Sequence, residues 1–288
     1  MNGILLVDKP AGWTSSDVVA KLRGVLHEKR IGHSGTLDPM ATGLLVVFVG
    51  RATRAVEFAE GHEKRYLAGL RLGLATDTQD TTGKPVGGAK CDISREQLEA
   101  VLPRFRGEIM QIPPMYSAIK IKGQKLYEIA RRGGEVERKA RPVIIDSLEI
   151  AGERDGDFLL DIRCSKGTYV RTLCHEIGAA LGCGGCMSSL RRTEAGDFRL
   201  EDALPLEQII ARAEEREAEK LLLPVDGLFA AYPKLMVGAA EEKRIRNGSP
   251  VSVSAADGDY RVYHDGAFLA LSRVRDGVMS SIKSFYEV

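Results

Sequence analysis

One carboxylate stands out by its neighbours. Asp38 lies in His33-Ser34-Gly35-Thr36-Leu37-Asp38-Pro39-Met40-Ala41-Thr42-Gly43, among small residues, two glycines and a proline. Gly35 and Gly43 reach backbone conformations closed to other residues, and Pro39 stiffens the turn beside the acid. The segment runs straight into residues 44–49, an unbroken apolar strand pattern. An acid so placed sits on a rigid loop at the mouth of a buried strand, where functional side chains often reside. The same residues also describe a turn Asp that caps its own backbone.

Other side chains invite chemistry less directly. Arg171 opens a helix whose apolar stripe is Val170, Leu173, Cys174, Ile177 and Leu181, after a Gly167-Thr168 turn. The helix macrodipole disfavours a cation in the first turn, so Arg171 calls for a specific carboxylate partner. Tyr66 starts an alternating run over 64–72 and reads either as core or as an aromatic platform with a phenol at its tip. Lys9, in a Pro/Gly loop, reads as a ligand for a phosphate or a nearby carbonyl, or as a solvated side chain. His33 also describes a satisfied loop imidazole. Cys183-Gly184-Gly185-Cys186 has redox or zinc spacing, but no second CxxC or Cys/His pair at ligand spacing accompanies it, so no metal is expected.

The elements that must position these groups follow from composition and pattern. The chain has 288 residues, 44% hydrophobic content and a net charge of +1, which describes one large or two ordinary globular domains. Asp8 and Lys9 interrupt the first apolar run, so no signal peptide is read, and no stretch has the ~18 consecutive apolar residues of a membrane span. Five cysteines, an odd number, fit a reducing compartment and a cytoplasmic protein. The charge is segregated. Residues 119–141 hold eight basic side chains, Lys122, Arg131 and Arg132 among them, against three acidic ones; residues 201–220 hold seven acidic against three basic. Local fields of this kind steer a polyanion, although a charge run also describes a solvated face.

Along the chain, residues 3–7 read as a buried strand, and Thr14 with Asp17 forms a capping box for the helix that follows. Residues 52–59 read as a short helix, 76–88 as a mobile polar loop, and Ser94 to Gln97 as a second capping box. A basic helix over 124–132 ends at Gly133-Gly134, the make-up of an arm that closes on a phosphate backbone. Residues 143–150 and 158–164 alternate as paired strands, 190–198 read as another strand, and 206–223 as an acidic amphipathic helix. After about residue 228 come a short helix at 239–246 and strand-sized runs separated by Asp-Gly turns, a small β-barrel module. Pattern alone supports an α+β class.

The runs Lys9-Pro-Ala-Gly-Trp-Thr-Ser15, Gly32 to Gly43, Lys64-Arg-Tyr66 and Gly167-Thr-Tyr-Val-Arg171 occur together and in order. This set closely resembles the bacterial tRNA pseudouridine-55 synthases, the B family of pseudouridine synthases. Arg192-Thr-Glu-Ala-Gly-Asp-Phe198 and a C-terminal module similar to a PUA domain extend the resemblance over nearly the whole chain; Ser34 and Met40 depart conservatively from the family pattern. The resemblance implies a mixed, mainly antiparallel sheet flanked by helices in a catalytic domain over 1–227, and a PUA-like β-barrel domain over 228–288 that binds RNA. It implies site-specific isomerisation of uridine to pseudouridine at position 55, in the T-arm loop of tRNA, by base flipping with Asp38 as the nucleophile. Tyr66 would stack on the flipped base with its phenol near the C5 proton, and Arg171 would pair with Asp38, holding it ionised and aimed. Tyr169 and Leu190 would line the pocket, Lys9 would support the loop, and His33 would fill the gap left in the RNA. The arm, with Lys122, Arg131 and Arg132, would grip the RNA backbone. No cofactor or metal is needed, since isomerisation consumes nothing, and a monomer without an obligate protein partner is expected.

Three rivals stay open at this level. A noncatalytic RNA-binding or RNA-folding protein would make Asp38 structural; flipping a base remodels RNA, so a folding role is compatible with catalysis. A glycosidase would also work at an anomeric carbon, but such enzymes generally use two carboxylates, and the Asp38 loop offers one. A guide-RNA-dependent synthase would carry basic extensions that this chain does not suggest.

Overall fold

Two kinds of strand build the body of the molecule, which the computed structural model describes over residues 1–117, 119–121 and 123–286. Thr42–Val49 is buried at every position from Gly43 onward. Leu44, Val46 and Phe48 pack with Ile4, Leu6, Phe229 and Phe285, whereas Leu45, Val47 and Val49 pack with Val18, Leu22, Leu206 and Ile209. Covered on both faces, the strand needs an unbroken apolar run. Lys64–Leu72 has one covered face, and its sequence alternates accordingly. Tyr66, Ala68 and Leu70 join a core with Leu160, Leu173 and Ile177, while Arg65 and Arg71 face outward and pair with Asp161 at 2.5 Å and Asp157 at 2.8 Å.

These strands belong to one mixed sheet whose path runs Leu204–Pro205, Gly3–Lys9, Thr42–Val49, Gly185–Ala195, Lys64–Leu72, Asp157–Cys164, Arg141–Arg154, Gly107–Gln111. Ile31–Ser34 adds to Thr42–Val49, and Phe198–Arg199 to Gly185–Ala195. Gly3–Lys9 runs parallel to Leu204–Pro205, and Gly185–Ala195 parallel to Thr42–Val49; the remaining pairs are antiparallel. This is the mixed, mainly antiparallel α+β sheet that the sequence led us to expect. Both capping boxes form, at Thr14/Asp17 and at Ser94/Gln97, and the first opens helix Ser15–Val25.

A second, curled sheet of five strands follows, in the order Lys234–Met236, Gly258–His264, Ala267–Arg275, Val278–Ser284, Val251–Ser252. It is PUA-like in form. Asp265-Gly266 and Asp276-Gly277 turn with positive φ at both residues, the geometry that matches strand twist in tight hairpins. Aromatic rings join this part to the main sheet: Phe229 meets Phe58 edge-on at 5.2 Å and Phe285 at 5.6 Å.

Two sequence expectations change. Residues 76–88 are a surface segment only in their second half, where 84–88 are exposed, and they are structured rather than an open loop. Thr76 and Asp80 are buried, a short hairpin pairs Ala75–Thr76 with Pro85–Gly87, and Thr81 and Gln79 exchange backbone hydrogen bonds of 3.0 Å with Met187. Polar composition concealed a segment whose hydrogen bonds are satisfied internally. The acidic helix stops at Glu214, because Arg216 turns to φ +60°, and a separate 3₁₀ turn covers Ala218–Leu221.

Candidate active site

The Asp38 loop spans the gap between Ile31–Ser34 and its antiparallel neighbour Thr42–Val49. Leu37 and Ala41, 2% and 0% exposed, plug into the core on either side of the acid. Such anchors leave the intervening carboxylate little freedom. The Ser15 hydroxyl accepts from the Leu37 amide at 2.9 Å and donates to the Leu37 carbonyl at 3.2 Å. The Gly12 amide donates to the Pro39 carbonyl at 2.8 Å, and the Ala41 amide to the Asp38 carbonyl at 3.0 Å.

Lys9 lies beneath this loop, fully buried rather than solvated. Its ammonium donates to the carbonyls of Pro10 at 2.9 Å, Trp13 at 2.6 Å and Pro39 at 3.4 Å. Burying a charge requires such satisfaction. Burial lowers its pKa to about 8, partly offset by the Asp38 charge.

Arg171, in the first turn of helix Val170–Ala180, meets the carboxylate that its position called for. Its Nε lies 3.1 Å from Asp38 Oδ2, and its Nη2 donates to Asp38 Oδ1 at 3.3 Å. Nη2 also donates to the Tyr116 carbonyl at 2.9 Å, and Nη1 stands 3.7 Å from Asp80 Oδ2. Asp80 is the residue that sequence reasoning missed. Its other oxygen accepts from Thr78 at 2.8 Å and from the Thr82 amide at 2.9 Å. The cation thus stands between two acids, Asp38 one-third exposed and Asp80 buried behind it. Burial raises the Asp38 carboxyl above its ordinary pKa; Arg171 opposes that shift, Asp80 adds to it and Lys9 opposes it. Arg171 aims the acid but does not outweigh its burial.

The other expected site residues gather unevenly around this pair. Tyr66 and Leu190 are buried in the same core cluster as Leu37 and Ala41. Burial raises the Tyr66 phenol's pKa, against the charge of Arg192. Tyr169 caps the Arg171 helix and is held by Gln111, whose Oε1 accepts from the Tyr169 amide at 2.8 Å while Nε2 donates to its carbonyl at 3.1 Å. Gln111, 2% exposed on an edge strand, is a second positioning group without a sequence signal. His33 has a buried Nδ1 with no hydrogen-bond partner, and burial with the Arg192 charge lowers its pKa, which favours the neutral ring. Arg131 and Arg132 are exposed on and just after helix Leu126–Arg131, Arg131 lying 5.6 Å over the Tyr127 ring. Lys122 lies outside the described residues. Cys183 and Cys186 are buried, and no group of His, Cys, Asp and Glu with metal-binding geometry occurs among the described residues.

Residues 23–170 match the TruB family pseudouridylate synthase N-terminal domain, and residues 171–230 the tRNA pseudouridylate synthase B C-terminal domain. A tRNA pseudouridine synthase B of Azoarcus sp. is 44% identical over 96% of this chain and 92% of its own length. That of Clostridium kluyveri is 40% identical over 99% of this chain and 100% of its own. The fold matches a solved Cbf5-Nop10-Gar1 complex with a TM-score of 0.73 at 26% identity, covering 99% of this chain and 85% of the other. An H/ACA RNP bound to a substrate RNA containing 2'-deoxyuridine also gives 0.73, at 23% identity, over 99% of this chain and 85% of the other. Relatives that align nearly end to end, on a fold that presents a loop carboxylate to a buried arginine, leave one assignment: the chain belongs to the TruB family of pseudouridine synthases.

Proposed function

We propose that this enzyme converts uridine to pseudouridine at position 55, in the T-arm loop of tRNA, with Asp38 as the nucleophile. The observation that carries the reading is the Asp38–Arg171 pair, one aimed carboxylate at 3.1 Å from a buried guanidinium, beside the buried Tyr66 and Leu190. The curated relatives are tRNA enzymes by name, which supports tRNA as the substrate. A stacked nucleotide cannot bring its reactive carbon to a carboxylate on this loop, so the target base must swing out. The neutral His33 ring fills the space vacated in the RNA, while Tyr66 stacks on the base.

Asp38 attacks the ribose anomeric carbon or the pyrimidine ring, and the N-glycosidic bond breaks. The uracil turns, C5 bonds to the ribose carbon, the C5 proton leaves near the Tyr66 phenol, and N1, freed from the ribose, takes up a proton in its place. The carboxylate is released unchanged, so atoms and charge balance without a cofactor. Tyr169 and Leu190 line the pocket, and Lys9 holds the loop from below. Arg131, Arg132 and Lys122 grip phosphates. In this reading, catalysis resides in residues 1–227 and the PUA-like part, 228–288, adds RNA affinity. The enzyme acts as a monomer without a protein partner, and flipping gives it a secondary role in tRNA folding. Asp80 does not make the site a two-carboxylate glycosidase, because it stands behind Arg171 and is 6% exposed.

The test is to incubate the protein with an unmodified tRNA transcript and map pseudouridine at single-nucleotide resolution while assaying free uracil. Conversion at position 55 without released uracil is expected. Released uracil would identify a glycosidase, and neither product a binding protein.

A further inference from the structure

The mechanism above leaves one large buried charge without a task. Arg192 is 1% exposed, and among the described residues it has no carboxylate at ion-pair distance. Its neighbours Lys9 and Lys64, also buried, are cations whose pKa values it helps to lower, each to about 8. A guanidinium buried among like charges costs folding free energy, so its hydrogen bonds identify what it does.

Beyond a side-chain hydrogen bond to the Tyr66 phenol, those bonds go to the two ends of the Asp38 loop. Arg192 Nε donates to the Leu44 carbonyl at 2.7 Å, and Nη2 donates to the Gly35 carbonyl at 3.1 Å. The planar fork of Arg can span two acceptors in fixed directions, which the ammonium of Lys cannot. The backbone around it is shaped for this reach. Gly35 has φ +85°, and a Cβ there would lie 3.3 Å from Arg192 Nη1. Gly43 has φ +97°, and a Cβ there would lie 2.8 Å from the Arg192 amide nitrogen. Gly35 therefore leaves room for the guanidinium itself, whereas Gly43 lets the loop's exit pack against the backbone of the strand that carries it. A β-bulge between Arg192 and Glu194 completes the arrangement. Arg192 stands opposite Tyr66 on the buried face, whereas Glu194 stands opposite Arg65 and binds it on the outer face. Without the bulge, residues two apart would share a face.

We propose that Arg192 is the positioning residue that closes the Asp38 loop, fixing the carboxylate in its attacking geometry by tying Gly35 to Leu44 across the loop's base. The proposal rests on the pseudouridine synthase reading, so its test begins from wild-type protein that forms pseudouridine. Single-turnover rate, RNA dissociation constant and melting temperature are measured on a T-arm stem-loop for Arg192→Lys, Arg192→Met, Ser15→Ala and the Ser15→Ala/Arg192→Lys double variant. A loop displaced by roughly an ångström loses about a hundredfold in rate. Arg192→Met should therefore slow the chemical step by about two orders of magnitude and Arg192→Lys by about one, with RNA affinity within roughly twofold. Ser15 anchors the same loop at Leu37, so its effect on rate should be non-additive with that of Arg192→Lys. A lowered melting temperature with an unchanged rate would overturn the proposal, as would strictly additive rate losses. If Arg192→Met fails to fold, Arg192→Lys carries the test; failure of both would assign Arg192 to the core alone and overturn it too. Inactive wild-type protein would instead refute the functional reading beneath it.

Discussion

Replacing Asp38 by Asn separates chemistry from binding and from stability. Asn is nearly isosteric and leaves Arg171 the Tyr116 carbonyl at 2.9 Å and Asp80 at 3.7 Å, so the surrounding cluster should persist. What disappears is the nucleophile, and the other acid of the cluster is held behind the guanidinium. A loss of at least about 10⁴ in single-turnover rate is expected, equivalent to roughly 5 kcal/mol of transition-state stabilisation. Affinity for the stem-loop, set by phosphate contacts, should change by about tenfold or less. Stability should move the other way. The folded Asp38 carboxyl titrates above its unfolded value, so its contribution to stability is fully present below the unfolded pKa and is lost as pH rises through the folded pKa. At pH 7 the ionised group is thus a net load on the fold that Asn removes. The variant should melt at or above the wild-type temperature at pH 7, and the difference should shrink on acidification toward pH 4. Turnover within a hundredfold of wild type in verified Asp38→Asn protein would refute the assignment of the nucleophile. A lower melting temperature at pH 7 would refute the electrostatic argument and show that attraction to Arg171 outweighs burial.

Asp80→Asn should leave RNA affinity unchanged and cut the single-turnover rate by roughly one to two orders of magnitude, because Arg171 loses the acid that backs it; equal rates would make Asp80 merely structural. Lys9 has a folded pKa lowered to about 8, so its contribution to stability is present above the unfolded value of 10.5 and is lost as pH falls through 8. Between pH 8 and 10.5 stability measured by urea titration should therefore gain from this group while activity falls, since the neutral amine has two donors for the carbonyls of Pro10, Trp13 and Pro39; activity that rises together with stability would contradict this role. Charge reversal of Lys122, Arg131 and Arg132 to Glu should weaken tRNA binding and flatten its dependence on salt, by roughly one unit of log–log slope for each phosphate left without its cation. An unchanged slope would show that the arm is only a solvated face.

The parts of this molecule legible in the sequence are those whose physics is local. Alternation over Lys64–Leu72 reveals one covered face, the continuous run of Thr42–Val49 two, and the capping boxes at Thr14 and Ser94 mark helix starts through bonds that span only three residues. Arg171 was legible for a related reason: a cation at a helix start is unfavourable unless something pairs it, and Asp38 does. The identity of its second acid was not. Asp80 sits in a Thr- and Gly-rich stretch that looks like solvated loop, and the residues that bury it, Thr76 and Met187, include one more than a hundred positions away. Arg192 was hidden more thoroughly. A run of Leu-Arg-Arg in an amphipathic strand places alternate residues on opposite faces, and Arg191 does face outward to Asp8 at 2.7 Å. Alternation puts the second arginine on the inward face with Leu190, but nothing in the run announces what it binds there, since its acceptors at the loop are backbone carbonyls, which every residue carries. Side chains that hold a loop by its backbone leave a sequence trace only in the loop itself, as glycines where a Cβ would not fit. Gly35 and Gly43 stand out in the sequence as backbone positions closed to other residues beside Asp38; in the structure Gly35 leaves room for the Arg192 guanidinium, and Gly43 for the backbone of the strand that carries it.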